Sequence, residues 1–167
     1  MNTQRTHRVL IERATAQDLE RLLRIEEESF SGPWTRKMFE VELQGNPFSY
    51  LFAARSISDG QVSGDIVGYV CFWVVFDEVR VMTLAVEPSV RRQGIASELV
   101  RFMLTFGRSQ GGVRAILEVR ASNLAARGLY EQMGFRQTAV RTKYYTNPTE
   151  DAILMEMNPL VVAHCEQ

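Results

Sequence analysis

The sequence predicts one α/β domain in which a mixed sheet of about seven strands is flanked by about four helices. Three observations predict it. The chain has 167 residues, 46% hydrophobic and 23% charged, enough for a single core of ordinary size. Apolar positions three and four apart alternate along it with short apolar runs bounded by turn residues. No repeat, low-complexity tract or linker interrupts that order, which is rich in strands early and then runs strand, helix, strand, helix, strand, strand.

The elements follow in sequence. "THRVLIERA" predicts an edge strand, and "TAQDLERLLRIEEESF" carries Leu19, Leu22, Leu23 and Ile25 at helical spacing, with Thr15 and Asp18 as a capping box. "SGPWTRKMFEVEL" predicts a second helix entered through Pro33, since proline suits a helix's first turn. "FSYLFAARS" and the run 66–76 predict strands paired as a hairpin across the polar, glycine-containing "ISDGQVSGD". "VRVMTLAVEP" predicts a strand ended by Pro88. From Gly94, "GIASELVRFMLTFGRSQGG" sets Ile95, Leu99, Phe102, Met103 and Phe106 on one helical face and stops at Gly111 and Gly112. A strand "VRAILEVR", a short helix "NLAARGLYEQM" closed by Gly134, and the strands "FRQTAVRTKYY" and "DAILMEMNP" complete the domain.

Composition narrows the function. A net charge of -1 gives no general attraction to nucleic acid or an anionic membrane. Cys71 and Cys165 form neither a disulfide framework nor a metal-ligand pattern, so both read as structural and no metal is expected. The first ten residues lack the apolar stretch of a secretory signal, and "IVGYVCFWVVF" is short of a membrane span. The expectation is a soluble protein of a reducing, cytoplasmic setting.

The stretch "SVRRQGIAS" joins a strand to a helix. A helix's first N–H groups have no internal acceptor and carry positive potential, so Gly94, small Ala96 and the paired Arg91 and Arg92 suit a pyrophosphate. Taken alone, it also fits a solvated turn. "RRQGIA" resembles the R/Q-x-x-G-x-G/A coenzyme motif of the Gcn5-related N-acetyltransferases. "LEVRASNLAARGLYEQMGF", "FSGPWTRKMF" and "RTKYYTNPTEDAILMEM" resemble the RimI branch of that family, which acetylates the N-terminal alanine of small-subunit ribosomal protein eighteen. Ala96 stands where many members have glycine, and the motif allows it.

The resemblance implies a mostly antiparallel sheet with a splayed strand pair and acetyl-coenzyme A as co-substrate. Leu84, Ala85 and Val86 would pair with the pantetheine arm, and Arg91 and Arg92 through Gln93, Gly94, Ile95, Ala96 and Ser97 would hold the pyrophosphate. Asn123 and Tyr130 complete that site, although Asn123 also fits a helix N-cap.

His7 and His164 lie near the chain ends, so neither is a natural base. Glu118 shares one strand face with Ile116 and Arg120, as an ion-pair residue or as a placed carboxylate. The resemblance assigns it the base. Tyr130 fits a half-buried packing residue, or a proton donor to a thiolate; the resemblance assigns it the acid. The same likeness puts the Val86 N–H on the thioester oxygen and leads to direct transfer in a ternary complex, without an acyl-enzyme. Cys71, in an apolar strand without a nearby histidine, is a poor nucleophile.

Glu26, Glu27 and Glu28 suit either a basic N-terminal tail or a solvated helix end, with Glu28 the candidate acceptor contact. Trp34 and Tyr145 read as groove walls or as core and rim aromatics. The acceptor is then the N-terminus of a ribosomal protein, with other N-termini, a lysine or a small amine as alternatives. A coenzyme-binding sensor without catalysis is the alternative of another class. A monomer or weak dimer is expected.

Overall fold

The computed structural model describes residues 7–162. His164 and Cys165 lie outside them, as does Thr6 at the head of the first predicted strand. Among the described residues seven strands and four α-helices form: β1 (Val9–Arg13), α1 (Leu19–Ser29), α2 (Arg36–Gln44), β2 (Ser49–Ser58), β3 (Gln61–Val75), β4 (Glu78–Val86), α3 (Ile95–Ser109), β5 (Arg114–Arg120), α4 (Leu124–Gln132), β6 (Arg136–Thr146) and β7 (Thr149–Met157). The strands hydrogen-bond in the order β1-β2-β3-β4-β5-β7-β6, so β1 is an edge as expected. The β4–β5 pair is parallel, with Glu78–Arg80 in register against Arg114–Ile116. The β1–β2, β5–β7 and β6–β7 pairs are antiparallel.

Two compact units divide the chain, one running to Cys71 and again over Thr83–Leu99, the other made of Phe72–Met82 and the chain from Val100 onward. In the first, Leu22, Ile25, Phe39, Ala53, Tyr69 and Val70 are buried, and the Phe39 and Tyr69 rings meet edge to face at 5.7 Å. Thr15 and Asp18 form the capping box, at the head of a 3-10 turn (Ala16–Asp18) that leads into α1. Asp18 also accepts from Arg55 Nη2 at 2.8 Å, which ties this entry to β2. Pro33 lies before α2, not inside it. Thr35 is the cap, extended at φ -79° and ψ 163°, and its hydroxyl accepts the Met38 N–H. The expected nine-residue connection between β2 and β3 contracts to a tight turn in which Asp59 and Gly60 both take positive φ, the geometry that matches the twist of a hairpin.

In the second unit Phe72, Val79, Met103, Ala115, Phe135 and Met155 are buried. β5 alternates strictly, with Ala115, Leu117 and Val119 inward and Ile116, Glu118 and Arg120 on the other face. α4 ends at Met133, followed by Gly134 at φ 105°.

Candidate active site

In the first unit β4 runs into a 3-10 turn (Pro88–Val90), and the chain then reverses through two left-handed residues, Arg92 (φ 62°) and Gly94 (φ 87°), to enter α3 at Ile95. Gly94 takes such a φ without strain; Arg92 does not, and strained backbone of this kind clusters at functional sites. The Glu98 N–H reaches the Gly94 carbonyl at 3.1 Å. The amides of Ile95, Ala96 and Ser97 therefore stand ahead of any intrahelical acceptor, at the positive end of a fifteen-residue helix. Gly94 is exposed and Ala96 keeps the neighbouring position small. This donor set fits a diphosphate.

The two arginines divide. Arg92 is exposed beside this mouth. Arg91 folds back, its Nε donating to the Val86 carbonyl at 3.0 Å and its Nη2 to the Ser29 hydroxyl at 3.1 Å, so it braces the end of β4 against α1. The Glu87 N–H adds a bond to the Val67 carbonyl at 2.8 Å. Leu84 is half-buried, and Ala85 and Val86 are buried.

The acidic run of α1 splits as its helical spacing requires. Glu27 and Glu28 are exposed, whereas Glu26, on the row of Leu19, Leu22 and Leu23, is 2% exposed. Its Oε1 accepts the Trp34 N–H at 2.9 Å; its Oε2 accepts from the Tyr69 hydroxyl and, at 3.2 Å, from the Thr83 hydroxyl. Burial pushes the Glu26 carboxyl above its ordinary range, and the bonds from Tyr69, Trp34 and Thr83 oppose that rise. Burial also raises the Tyr69 phenol. Glu26 was legible in the spacing, but reading the three glutamates as one charge run hid it. Trp34 is half-buried, its ring edge-on to Phe39 at 5.3 Å. Cys71 is buried, its thiol within 3.6 Å of the Ser49 hydroxyl, and burial raises its pKa, as a structural cysteine requires.

The second unit holds Glu118, Asn123, Tyr130 and Tyr145. The Glu118 carboxylate lies 3.7 Å from Arg141 Nη1 of β6. Its ion-pair partner is not Arg120, whose guanidinium meets Glu150 at 3.4 Å and donates to the carbonyls of Asn147 and Pro148. The Tyr144 ring centre stands 5.6 Å from the Arg141 guanidinium, and the neighbouring Glu118 carboxylate raises the Tyr144 phenol first, ahead of desolvation. Neither Arg141 nor Tyr144 was singled out in the sequence, because their approach depends on a pairing irregularity in β6. Asn123 caps α4, its Oδ1 accepting the Ala126 N–H at 3.1 Å. Tyr130 is buried, ring edge-on to Phe135 at 5.4 Å, and burial holds its phenol well above the ordinary value. Tyr145 lies under the Arg120 guanidinium at 4.3 Å, and its phenol is pushed up to about 12, by burial first and then by the charge of Glu118.

The acetyltransferase (GNAT) family model matches residues 19–135, which include the helix mouth, β5 and α4. The chain belongs to the GNAT family. It is 32% identical over 142 residues to the [ribosomal protein bS18]-alanine N-acetyltransferase of Escherichia coli K12, covering 84% of this chain and 90% of that one. It is 35% identical over 156 residues to the N-alpha-acetyltransferase RimI of Mycobacterium tuberculosis, covering 90% and 92%. The crystal structure of the ribosomal-protein-S18-alanine N-acetyltransferase from Escherichia coli superposes with a TM-score of 0.80 at 28% identity, covering 96% of this chain and 99% of that one. This GNAT chain is an N-acetyltransferase, and acetyl-coenzyme A is its co-substrate. Among its described residues no helix is long and apolar enough to cross a membrane.

Proposed function

We propose that this acetyltransferase acts on a protein α-amine, the N-terminal alanine of small-subunit ribosomal protein eighteen, by direct transfer in a ternary complex. The observation that carries the reading is the likeness, over 84% of the chain, to the Escherichia coli enzyme named for that reaction. The donor set at the mouth of α3 supports the coenzyme half of it. Acetyl-coenzyme A supplies an activated thioester carbonyl. The amides of Ile95, Ala96 and Ser97, with Arg92 and Gln93, hold the diphosphate, while the main chain of Leu84, Ala85 and Val86 lines the pantetheine arm. The Val86 N–H polarises the thioester oxygen. Glu118, through water, takes a proton as the amine nitrogen bonds to the acetyl carbon; the carbon–sulfur bond breaks, and the Tyr130 phenol donates a proton to the departing thiolate. A carboxylate and a phenol thus supply base and acid, and no covalent enzyme intermediate is required. Asn123, already the cap of α4, lends its remaining amide hydrogens to the coenzyme. Trp34, Tyr145 and Glu28 border the acceptor.

The test is to incubate the protein with labelled acetyl-coenzyme A and a peptide panel: the ribosomal protein's N-terminal sequence, other N-termini, an N-terminally blocked lysine peptide, and small amines. Label enters the alanine-terminated ribosomal peptide fastest. Label confined to lysine or to small amines would overturn the acceptor assignment while leaving the chemistry.

A further inference from the structure

The β6–β7 ladder contains an irregularity beside Arg141, the ion-pair partner of Glu118. Arg141 pairs with Ala152, and the next pair is Tyr145 with Glu150, so Thr142, Lys143 and Tyr144 of β6 face only Asp151 of β7. Lys143 sits in the left-handed region at φ 52°, which residues with a Cβ avoid. The residue opposite holds it there, because Asp151 Oδ1 accepts the Lys143 N–H at 2.8 Å in place of a ladder carbonyl.

The consequence is a broken alternation. In a regular strand Arg141 and Tyr144, three apart, lie on opposite faces. Here the two meet: Arg141 Nη1 lies 3.7 Å from the Glu118 carboxylate and the same guanidinium stands 5.6 Å from the Tyr144 ring centre, so Tyr144 flanks the Arg141–Glu118 pair. Tyr145 lies under Arg120 on the Glu118 face of β5, its ring edge-on to Tyr144 at 5.1 Å. Core packing does not explain this placement, since Tyr144 is 46% exposed. Bulges beside active sites commonly re-aim a side chain in this manner.

We propose that Asp151 is a positioning residue for acetyl transfer: by accepting the Lys143 N–H it maintains the left-handed bulge that sets the Tyr144 ring against Arg141, the ion-pair partner of Glu118. This rests on the reading of Glu118 as base. Asp151 touches neither substrate nor reacting atoms in this scheme. It acts through the backbone of Lys143 and then through Tyr144 and Arg141, whose guanidinium fixes the carboxylate's orientation toward the incoming amine.

The test uses the full chain, with kcat and KM measured on an alanine-terminated peptide at saturating acetyl-coenzyme A. Asp151→Ala lowers kcat by between about ten- and a hundredfold and leaves the KM for acetyl-coenzyme A unchanged, the cost expected of a misplaced catalytic group. Asp151→Asn keeps an Oδ1 acceptor and retains most of the activity. Lys143→Gly in the Asp151→Ala background recovers much of the loss, because glycine holds a positive φ unaided. A general destabilisation would be rescued by neither. The second readout is the titration of ¹³C-labelled tyrosines, assigned with Tyr144→Phe. Tyr144 is faced by Glu118 of β5, Arg141 of its own strand and Arg80 of β4; Glu118 is the first cause of its raised pKa, so when the ring leaves this pair in Asp151→Ala its ionisation moves to lower pH. An unmoved Tyr144 titration, or an undiminished kcat in Asp151→Ala, overturns the proposal. Undiminished activity in Glu118→Gln instead overturns the base reading, and with it the catalytic sense of the bulge, while the titration still reports where Tyr144 sits.

Discussion

Glu118 and Tyr130 are set apart by their surroundings. The carboxylate is 20% exposed, on the half-buried face of an alternating strand beside the Arg141 guanidinium. The phenol is buried against Phe135, and burial alone accounts for its raised pKa. A half-buried carboxylate and a buried, protonated phenol suit the proposed base and acid. Glu118→Gln, which keeps shape and loses the proton acceptor, should lower kcat by about 10²- to 10⁴-fold with little change in coenzyme affinity, measured by steady-state kinetics and calorimetry. Tyr130→Phe should lower kcat at saturating coenzyme. Because burial raises the phenol's pKa, its protonated form persists above the ordinary tyrosine value near ~10. The wild-type kcat profile should therefore show no falling limb from pH 8 to 10. A limb centred below 10 that Tyr130→Phe abolishes would mean a more polar setting for this hydroxyl.

The β4–turn–α3 segment was legible because its signals are local: Pro88 ends a strand, Gly94 permits a left-handed turn, and a four-three apolar step then begins. A valine at position 94 would force a β-branched side chain into φ 87° and fill the approach to the helix amides. Gly94→Val should weaken acetyl-coenzyme A binding at least tenfold, a change of about 1.4 kcal/mol that calorimetry resolves. What could not be read depended on partners distant in sequence. The start of α2 moved from Pro33 to Thr35, where Glu26 holds the Trp34 N–H and the Thr35 hydroxyl supplies the cap. Arg120 was weighed as the partner of Glu118, its neighbour on one strand face, but its guanidinium is taken by Glu150 and the β6–β7 turn. The bulge at Lys143 leaves no trace in "RTKYY", since neither glycine nor asparagine marks the left-handed position. The Glu26 cluster links α1, β3 and β4 in one further testable way. Its carboxyl has a raised folded pKa, so the folded protein binds more protons than the unfolded chain at and above 4.5, and stability falls as pH rises through that window. Glu26→Gln removes the titration. Its stability relative to wild type should improve between pH 4.5 and 7.5, as urea denaturation would read; a difference constant with pH would place the folded pKa at its ordinary value.

The net charge of -1 gives the chain no strong net attraction for a charged acceptor, so selection among amines rests on the site and on the amines themselves. Only a neutral amine attacks a thioester. An α-amine of pKa near ~8 is about 10% neutral at pH 7, and a lysine near ~10.4 only about 0.04%, a roughly 250-fold difference before any contact is made. At pH 9 the same values leave roughly a 25-fold difference. If the acceptor site adds no recognition of the peptide, the preference for an alanine-terminated peptide over a blocked lysine peptide should match this ratio and narrow about tenfold from pH 7 to 9. If Trp34, Glu28 and Tyr145 contact the first residues of an acceptor, the preference exceeds the ratio at both pH values, and the narrowing is unchanged because it belongs to the amines. Competition between the two peptides for limiting labelled acetyl-coenzyme A, run at both pH values, separates the two contributions. An excess at pH 9 that persists when Trp34 is replaced by alanine moves recognition away from that wall. A preference for lysine at either pH would mean that the chain lowers the pKa of a bound side-chain amine, for which a desolvating pocket rather than an open groove is the required geometry.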